Sequence, residues 1–265
     1  MDDDGRLSCY GSTAADVPAA RHRLGGVTRE DEALDRLLDE GSRLGTVPTA
    51  YGPDPDQVLE TWGPETGRSL VVVHGGYFRP TIDRTHARPQ GRALAAAGWR
   101  VVLAEYRRVP GDPFATIADL VALDAHLRDH GHDVAAWVGH SAGGALVLWR
   151  ALTPELAPVR AVALAPVTDL DAAVAQGLGG GAVTDWVGDT PFALDRLDPT
   201  RLLAAHPDRA ERLHLVHGDR DATVPVGQTE SFAAPRTVIP GAHHFDLVDP
   251  TSPHWAAVTT VLNRS

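Results

Sequence analysis

Residues 139–144 have the sequence Gly-His-Ser-Ala-Gly-Gly and carry the strongest local indication of chemistry in this chain. The apolar residues at 136–138 predict a strand just before Ser141, and residues 145–152 predict a helix just after it. A serine at such a sharp turn has a strained backbone and presents its hydroxyl above the sheet. We therefore predict that Ser141 is a nucleophile. Since glycine is common in this chain, with 26 residues, the pattern can also arise by chance. The alternative is therefore a glycine-rich turn whose serine has no catalytic role.

A serine hydroxyl is a poor nucleophile near neutral pH and needs a base, usually an imidazole that a carboxylate orients. Two aspartates follow the strand predicted at 213–217, and a carboxylate there lies at the same edge of the sheet as the serine. We prefer Asp221, which lies deeper in the loop and shortly before Val224-Pro225. We expect Asp219 to brace the turn through backbone amides instead.

The base is expected in the loop after the next predicted strand, at 237–239. This loop has two adjacent histidines, His243 and His244. We prefer His244 because it immediately precedes Phe245-Asp246, and we keep His243 as the alternative. Adjacent loop residues seldom converge on one ion, and motifs for phosphate loops, paired cysteines and metalloprotease helices are missing from the sequence. We therefore expect neither a metal nor an organic cofactor.

A His-Gly-Gly-Tyr motif at 74–77 directly follows a predicted strand. Attack on a carbonyl creates a tetrahedral oxyanion, and a backbone N–H aimed at it can contribute roughly 3–4 kcal/mol. We predict that amides of this motif and of the residue after the nucleophile form an oxyanion hole. These residues are Gly75, Gly76, Tyr77 and Ala142. Taken alone, the motif is equally compatible with a tight turn between a strand and a helix.

The elements that must position these residues alternate between strand and helix. Short apolar segments rich in β-branched residues predict strands at 70–73, 99–104, 137–139, 161–165, 213–217 and 237–239, with a short edge strand near 58–62. Helical spacing of apolar residues predicts helices at 28–41, 88–97, 114–130, 142–152, 226–233 and 253–262. Such alternation predicts an α/β fold with a mostly parallel sheet that helices cover on both faces.

Two segments interrupt this pattern. Residues 1–27 lack periodicity and are predicted to be an arm, which leaves one domain over 28–265. Residues 168–206 are long for a plain connection and are predicted to form a small lid or substrate-binding segment. Three aromatic residues are candidates for a substrate pocket, with core packing as the alternative. They are Tyr77, Phe78 and Trp186.

The composition narrows the class of partner. A formal net charge of -11 argues against nucleic acid and against an anionic membrane surface as partners. The single cysteine, Cys9, cannot form an internal disulfide. An acidic start without an apolar segment after it is unlike a signal peptide, which leads us to expect a cytoplasmic protein. The state of assembly stays open, with a homodimer as one alternative.

Together these motifs resemble the α/β-hydrolase superfamily, over roughly residue 51 to the C-terminus. Within it they are similar to the branch of arylformamidases (kynurenine formamidases) and small-substrate carboxylesterases. In that branch the acid precedes Val-Pro and the base precedes Phe-Asp, which implies these roles for Asp221 and His244. The resemblance implies an α/β-hydrolase fold and a serine hydrolase with a small-molecule substrate, a carboxylic ester or an N-formyl aryl amide.

The sequence also departs from the arylformamidase pattern. Phe78 stands where those enzymes usually have tryptophan, His243 stands where they have aspartate or asparagine, and the 168–206 segment is individual. Because lids select substrates, the alternatives are a thioesterase or small peptidase with the same triad. A non-catalytic binding protein of the same fold is a further alternative.

Overall fold

The computed structural model describes residues 28–190 and 192–264, so the arm predicted at 1–27 lies outside the described residues. The described chain folds around a single eight-stranded sheet with the order β1-β2-β4-β3-β5-β6-β7-β8. The strands are β1 Thr49–Ala50, β2 Val58–Trp62, β3 Arg68–Val73, β4 Arg100–Ala104, β5 Asp133–His140, β6 Ala161–Leu164, β7 Leu213–Gly218 and β8 Arg236–Ile239. β1 and β2 pair antiparallel, and the other six strands are parallel to one another.

Helices cover both faces of this sheet. They are α1 Arg29–Ser42, α2 Arg88–Ala96, α3 Pro113–Asp129, α4 Ala142–Leu152, α5 Leu170–Ala175, α6 Leu178–Val187, α7 Ala193–Leu197, α8 Pro199–Ala205, α9 Gly227–Glu230 and α10 Trp255–Leu262. Alternate residues of a strand point to opposite faces. Accordingly Val71 and Val73 of β3 lie in one apolar cluster with α3, α4 and α6, and Leu70 and Val72 lie in a second cluster with α1, α2 and α10. The parallel sheet and its two covered faces confirm the predicted fold class.

Several predicted boundaries differ from the structure. The strand predicted at 137–139 is β5, which begins at Asp133 because pairing with β3 extends it beyond its apolar part. The segment near 58–62 is a strand but not an edge strand, since β1 pairs along its outer side. The helix predicted at 226–233 is only α9, one turn long, and residues 231–234 form a turn and bends instead.

The 168–206 segment contains the four short helices α5 to α8. Three consecutive glycines at the start of α6 have positive φ angles of 60°, 66° and 80°, which side chains rarely adopt. Gly179, the first of them, lies so close to Tyr77 that a Cβ atom on it would come within 2.5 Å of the tyrosine ring. Arg79 donates a hydrogen bond to the Gly180 carbonyl and pairs with Asp185, each at 3.0 Å. The segment therefore packs directly on the loop after β3.

Candidate active site

Ser141 lies at the turn between β5 and α4 and has φ of 56° and ψ of -118°. The glycines around it are required by close backbone approaches. A Cβ atom on Gly139 would lie 2.1 Å from the Gly143 carbonyl oxygen, and one on Gly143 would lie 2.2 Å from that of Val73. No side chain fits at such distances. The structure thus explains why the turn has glycine on both sides of the serine.

Asp221 and His244 come together from the loops after β7 and β8. His244 Nδ1 lies 2.7 Å from Asp221 Oδ2, and the two side chains are 2% and 0% exposed. The other carboxylate oxygen accepts the amides of Thr223 at 2.9 Å and Val224 at 2.7 Å. Burial raises the pKa of Asp221, but the His244 imidazole and the donated hydrogen bonds outweigh it and hold this pKa below its usual value. The carboxylate is therefore ionised and can hold the imidazole with Nδ1 protonated.

The neighbouring residues Asp219 and His243 have other partners. Asp219 Oδ1 accepts the Gly241 amide at 2.7 Å, across the two loops. The amide of His243 donates to Asp246 Oδ2 at 2.8 Å, and its Nε2 lies 3.5 Å from the same oxygen. Of the four candidates, the structure brings together only the preferred pair.

The loop after β3 lies against the serine. A Cβ atom on Gly75 would be 3.1 Å from Ser141 Cβ, and Gly76 and Tyr77 have positive φ angles of 131° and 56°. Within residues 28–190 and 192–264, the amides of Gly75, Gly76, Tyr77 and Ala142 donate to no protein acceptor. These N–H groups remain available for an anion.

A buried network of charged groups braces this loop. His74 Nε2 lies 3.0 Å from Glu105 Oε1, and Arg108 donates to the same oxygen. The Tyr106 hydroxyl donates to the His74 carbonyl at 2.7 Å. Burial raises the pKa of Glu105. The charges of His74 and Arg108 lower it by more than burial raises it, so this pKa ends well below its usual value. The loop is anchored by an ionised carboxylate.

Two clefts meet at Ser141. The histidine cleft is lined by Leu34, Gly76, Tyr77, Ile82, His86, His140, Ser141, His244 and Phe245. The apolar cleft is lined by Tyr77, Phe78, Ser141, Ala142, Val167, Leu178, Gly179, Ala182, Val183, Thr223 and Val224. Ser141 and His244 thus line the same cleft, and Tyr77 borders both clefts.

Trp186 was predicted to line a substrate pocket, and it is not among the lining residues of either cleft. Its ring stacks on Phe78 with centroids 4.2 Å apart, and its Nε1 donates to the Thr116 hydroxyl at 3.2 Å. The side chain is 2% exposed. Trp186 therefore supports Phe78 from the core, and this part of the prediction is corrected.

The chain resembles solved esterases over most of its length. Esterase B from Lactobacillus rhamnosis superposes with a TM-score of 0.68 at 18% identity, over 89% of this chain and 95% of that one. The hyperthermophilic esterase from the archaeon Pyrobaculum calidifontis gives a TM-score of 0.64 at 17% identity, over 88% and 91% of the two chains. This chain has an α/β-hydrolase fold.

In sequence, the chain is 27% identical over 259 residues to Esterase LipC from Mycobacterium tuberculosis, which covers 81% of this chain. The match spans 64% of the length of LipC. No protein-family model matches the chain. Among the described residues, no helix combines the length and the apolar character that crossing a lipid bilayer requires.

The structure adds two residues that the sequence motifs of an α/β-hydrolase fold do not mark. His217, at the end of β7, is fully buried, and its Nε2 lies 3.3 Å from Asp221 Oδ2, the oxygen that also contacts His244. Glu30 of α1 contacts the loops of both Asp221 and His244. A histidine at the end of a strand and a glutamate in the first turn of a helix are ordinary in sequence. Neither carried a signal that could have identified it.

Proposed function

We propose that this protein is a serine hydrolase that cleaves a small carboxylic ester or an N-formyl aryl amide, with Ser141, His244 and Asp221 as its triad. The observation that carries the proposal is the 2.7 Å hydrogen bond between His244 and Asp221, with Ser141 in the same cleft as His244. The relative LipC and the two solved structures are all named as esterases, which supports an ester as the substrate.

In the proposed mechanism, Asp221 keeps the proton of His244 on Nδ1, which leaves Nε2 free as general base. His244 removes the hydroxyl proton of Ser141 as its Oγ attacks the carbonyl carbon. The imidazolium is stabilised by the ionised Asp221 and then protonates the leaving alcohol or amine. Water, activated by the same imidazole, finally hydrolyses the acyl-enzyme and regenerates Ser141.

The developing oxyanion would be bound by backbone amides. Among the described residues, the N–H groups of Gly75, Gly76, Tyr77 and Ala142 have no protein acceptor, and the last three line the clefts that Ser141 also lines. The Ala142 amide is also at the first position of α4, where the helix dipole favours negative charge. Gly75 in addition allows the close approach of the loop to Ser141.

The two clefts suggest how a substrate is oriented. We assign the aryl or alkyl group to the apolar cleft, because Phe78, Val167 and Val183 offer an apolar surface. The smaller acyl group, a formyl or acetyl group, then lies toward the histidine cleft.

A rate comparison between N-formylkynurenine and a series of aryl and alkyl esters tests whether the enzyme cleaves a formamide or an ester bond. Negligible formamide turnover beside efficient ester turnover would remove the formamidase assignment.

The triad is tested by matched neighbours. A fluorophosphonate should label wild-type Ser141 stoichiometrically and should not label Ser141→Ala. With p-nitrophenyl acetate, Asp221→Asn should lower kcat on the order of 10⁴-fold, because an amide in place of the carboxylate favours the imidazole tautomer with the proton on Nε2, which cannot act as the base. The matched control for Asp221→Asn is Asp219→Asn, and the matched control for His244→Gln is His243→Gln. Both control variants should retain most of the activity. Full hydrolysis by Ser141→Ala would refute the proposal.

A further inference from the structure

Glu30 lies in the first turn of α1 and has a buried carboxylate, with the residue 7% exposed. Its Oε1 accepts the amide of Ala222 at 2.9 Å and the amide of His244 at 3.1 Å. Its Oε2 accepts the hydroxyl of Thr223 at 2.5 Å. One side chain thus bonds the residue after Asp221 and the backbone of His244 itself.

This arrangement matters because Asp221 and His244 belong to different loops. The hydrogen bond between them forms only if the loops after β7 and β8 keep a fixed separation. Glu30 joins the loops from a third element, some 190 residues away in sequence from Asp221. A carboxylate is suited to this because its two oxygens can accept several hydrogen bonds at once.

We propose that Glu30 is a positioning residue whose carboxylate holds the acid loop and the base loop of the triad in register. The proposal rests on the proposed function, since it concerns the same Ser141, Asp221 and His244. Glu30 is not among the residues that line either cleft, so it acts on the reaction through Asp221 and His244 and not by touching substrate.

The helix that carries Glu30 is itself firmly held. Thr28 and Asp31 form a reciprocal cap at its start, which satisfies free amides of the first turn. Leu37, 2% exposed, packs in the apolar cluster beneath the helix. Arg36 pairs with Asp249, beyond the base loop, at 2.6 Å. The carboxylate is therefore presented from a fixed element and can constrain the two loops.

Three substitutions separate positioning from simple anchoring of α1. Glu30→Ala removes both acceptor oxygens, and with them all three hydrogen bonds, and should lower kcat on the order of 10²-fold, the cost of a small misplacement of reacting groups, with KM unchanged. Glu30→Gln keeps an oxygen that can accept both amides and should restore most of kcat. Glu30→Asp keeps the charge but is one methylene shorter, and should be slower than Glu30→Gln. Glu32→Ala, an exposed glutamate in the same turn, is the matched control.

The measurements are kcat and KM with p-nitrophenyl acetate, the rate of fluorophosphonate labelling at Ser141, and hydrogen exchange of the amides in 219–225 and 241–247. Faster exchange in both segments for Glu30→Ala, and in neither for Glu32→Ala, is expected. If Glu30→Ala does not fold, the comparison of kcat between Glu30→Gln and Glu30→Asp still tests the role of Glu30, with the higher kcat expected for Glu30→Gln.

Two outcomes would overturn the role of Glu30. One is wild-type kcat and labelling rate in Glu30→Ala, and the other is Glu30→Asp exceeding Glu30→Gln. Absence of labelling in the wild type would instead contradict the proposed function. The hydrogen-exchange comparison would then still report whether Glu30 holds the two loops, because it does not depend on activity.

Discussion

Ser141 has a backbone conformation that an L-amino acid rarely adopts, with φ of 56° and ψ of -118°. Such conformations cost on the order of 1–3 kcal/mol and persist where the surrounding structure imposes them. Here the Ser141 amide donates to the Leu164 carbonyl at 2.9 Å, and the Ser141 carbonyl accepts the Ala145 amide at 3.2 Å. The neighbouring strand and helix therefore hold the residue in its strained state.

Because of this strain, glycine at position 141 should give a more stable protein than alanine, although both variants lose the reactive hydroxyl. Ser141→Gly should be more stable than Ser141→Ala by about 1 kcal/mol, because relief of strain exceeds the backbone entropy that glycine loses on folding. Neither variant should be labelled by a fluorophosphonate. Urea unfolding of the two variants measures the difference, and Ser141→Ala being equal or more stable would show that the turn is not strained.

At the scale of elements, α4 packs against the end of β3 without room for a side chain between them. Gly143 would place a Cβ atom 2.2 Å from the Val73 carbonyl oxygen and 2.4 Å from that of His74. Both contacts are with backbone of β3 and the loop that follows it, so they cannot be relieved by rotation of a side chain. The distance between α4 and the loop after β3 therefore depends on this glycine.

Gly143→Ala should cost about 3 kcal/mol or more of stability, because the helix must move away from β3. It should also lower kcat, since Ser141 and the loop after β3 move apart. Gly227→Ala is the control, because Gly227 of α9 has no atom within 4 Å of an added Cβ and no positive φ. That variant should be as stable as the wild type or slightly more stable. Thermal unfolding compares the two, and equal midpoints would contradict the packing argument.

At the scale of the whole molecule, imidazoles are buried in the core beside the candidate site. His86 is 2% exposed and donates to the Asp83 carbonyl, and His140 is 4% exposed and bonds the His244 carbonyl at 3.1 Å. Burial, and then the charge of His74, lower the pKa of His86 from 6.5 to about 3. Burial likewise lowers the pKa of His140 well below 6.5. Folding therefore favours the neutral form of both rings.

A lowered pKa in the folded state makes stability fall as the pH falls. Between pH 6.5 and about 3 the unfolded chain binds a proton at His86 that the folded chain does not, which costs roughly 1 kcal/mol per pH unit. His86→Asn keeps a donor for the Asp83 carbonyl and should flatten the dependence of the unfolding free energy on pH between 6.5 and 4.5. His130→Gln, at an exposed position, should keep the wild-type slope. Parallel slopes in all three proteins would contradict this account.

Prediction from sequence succeeded for the fold and was limited for the site. The parallel sheet and the strand-to-helix turn at Ser141 were predicted, since apolar alternation and flanking glycines act locally. The four helices within 168–206 were not predicted, because they are short and depend on packing against the sheet and the loop after β3. Trp186 was misassigned because a large aromatic residue in sequence fits a pocket wall and a core equally well.

The sequence by itself determined the α/β fold class, the position of Ser141 and the two pairs of candidates for its partners. Each of these depends on nearest neighbours along the chain. Only the tertiary structure brought Asp221 to His244, gave their neighbours other partners and joined both loops to Glu30. These contacts join residues 23 and 214 positions apart. They depend on how separate strands and helices pack, which no local pattern encodes.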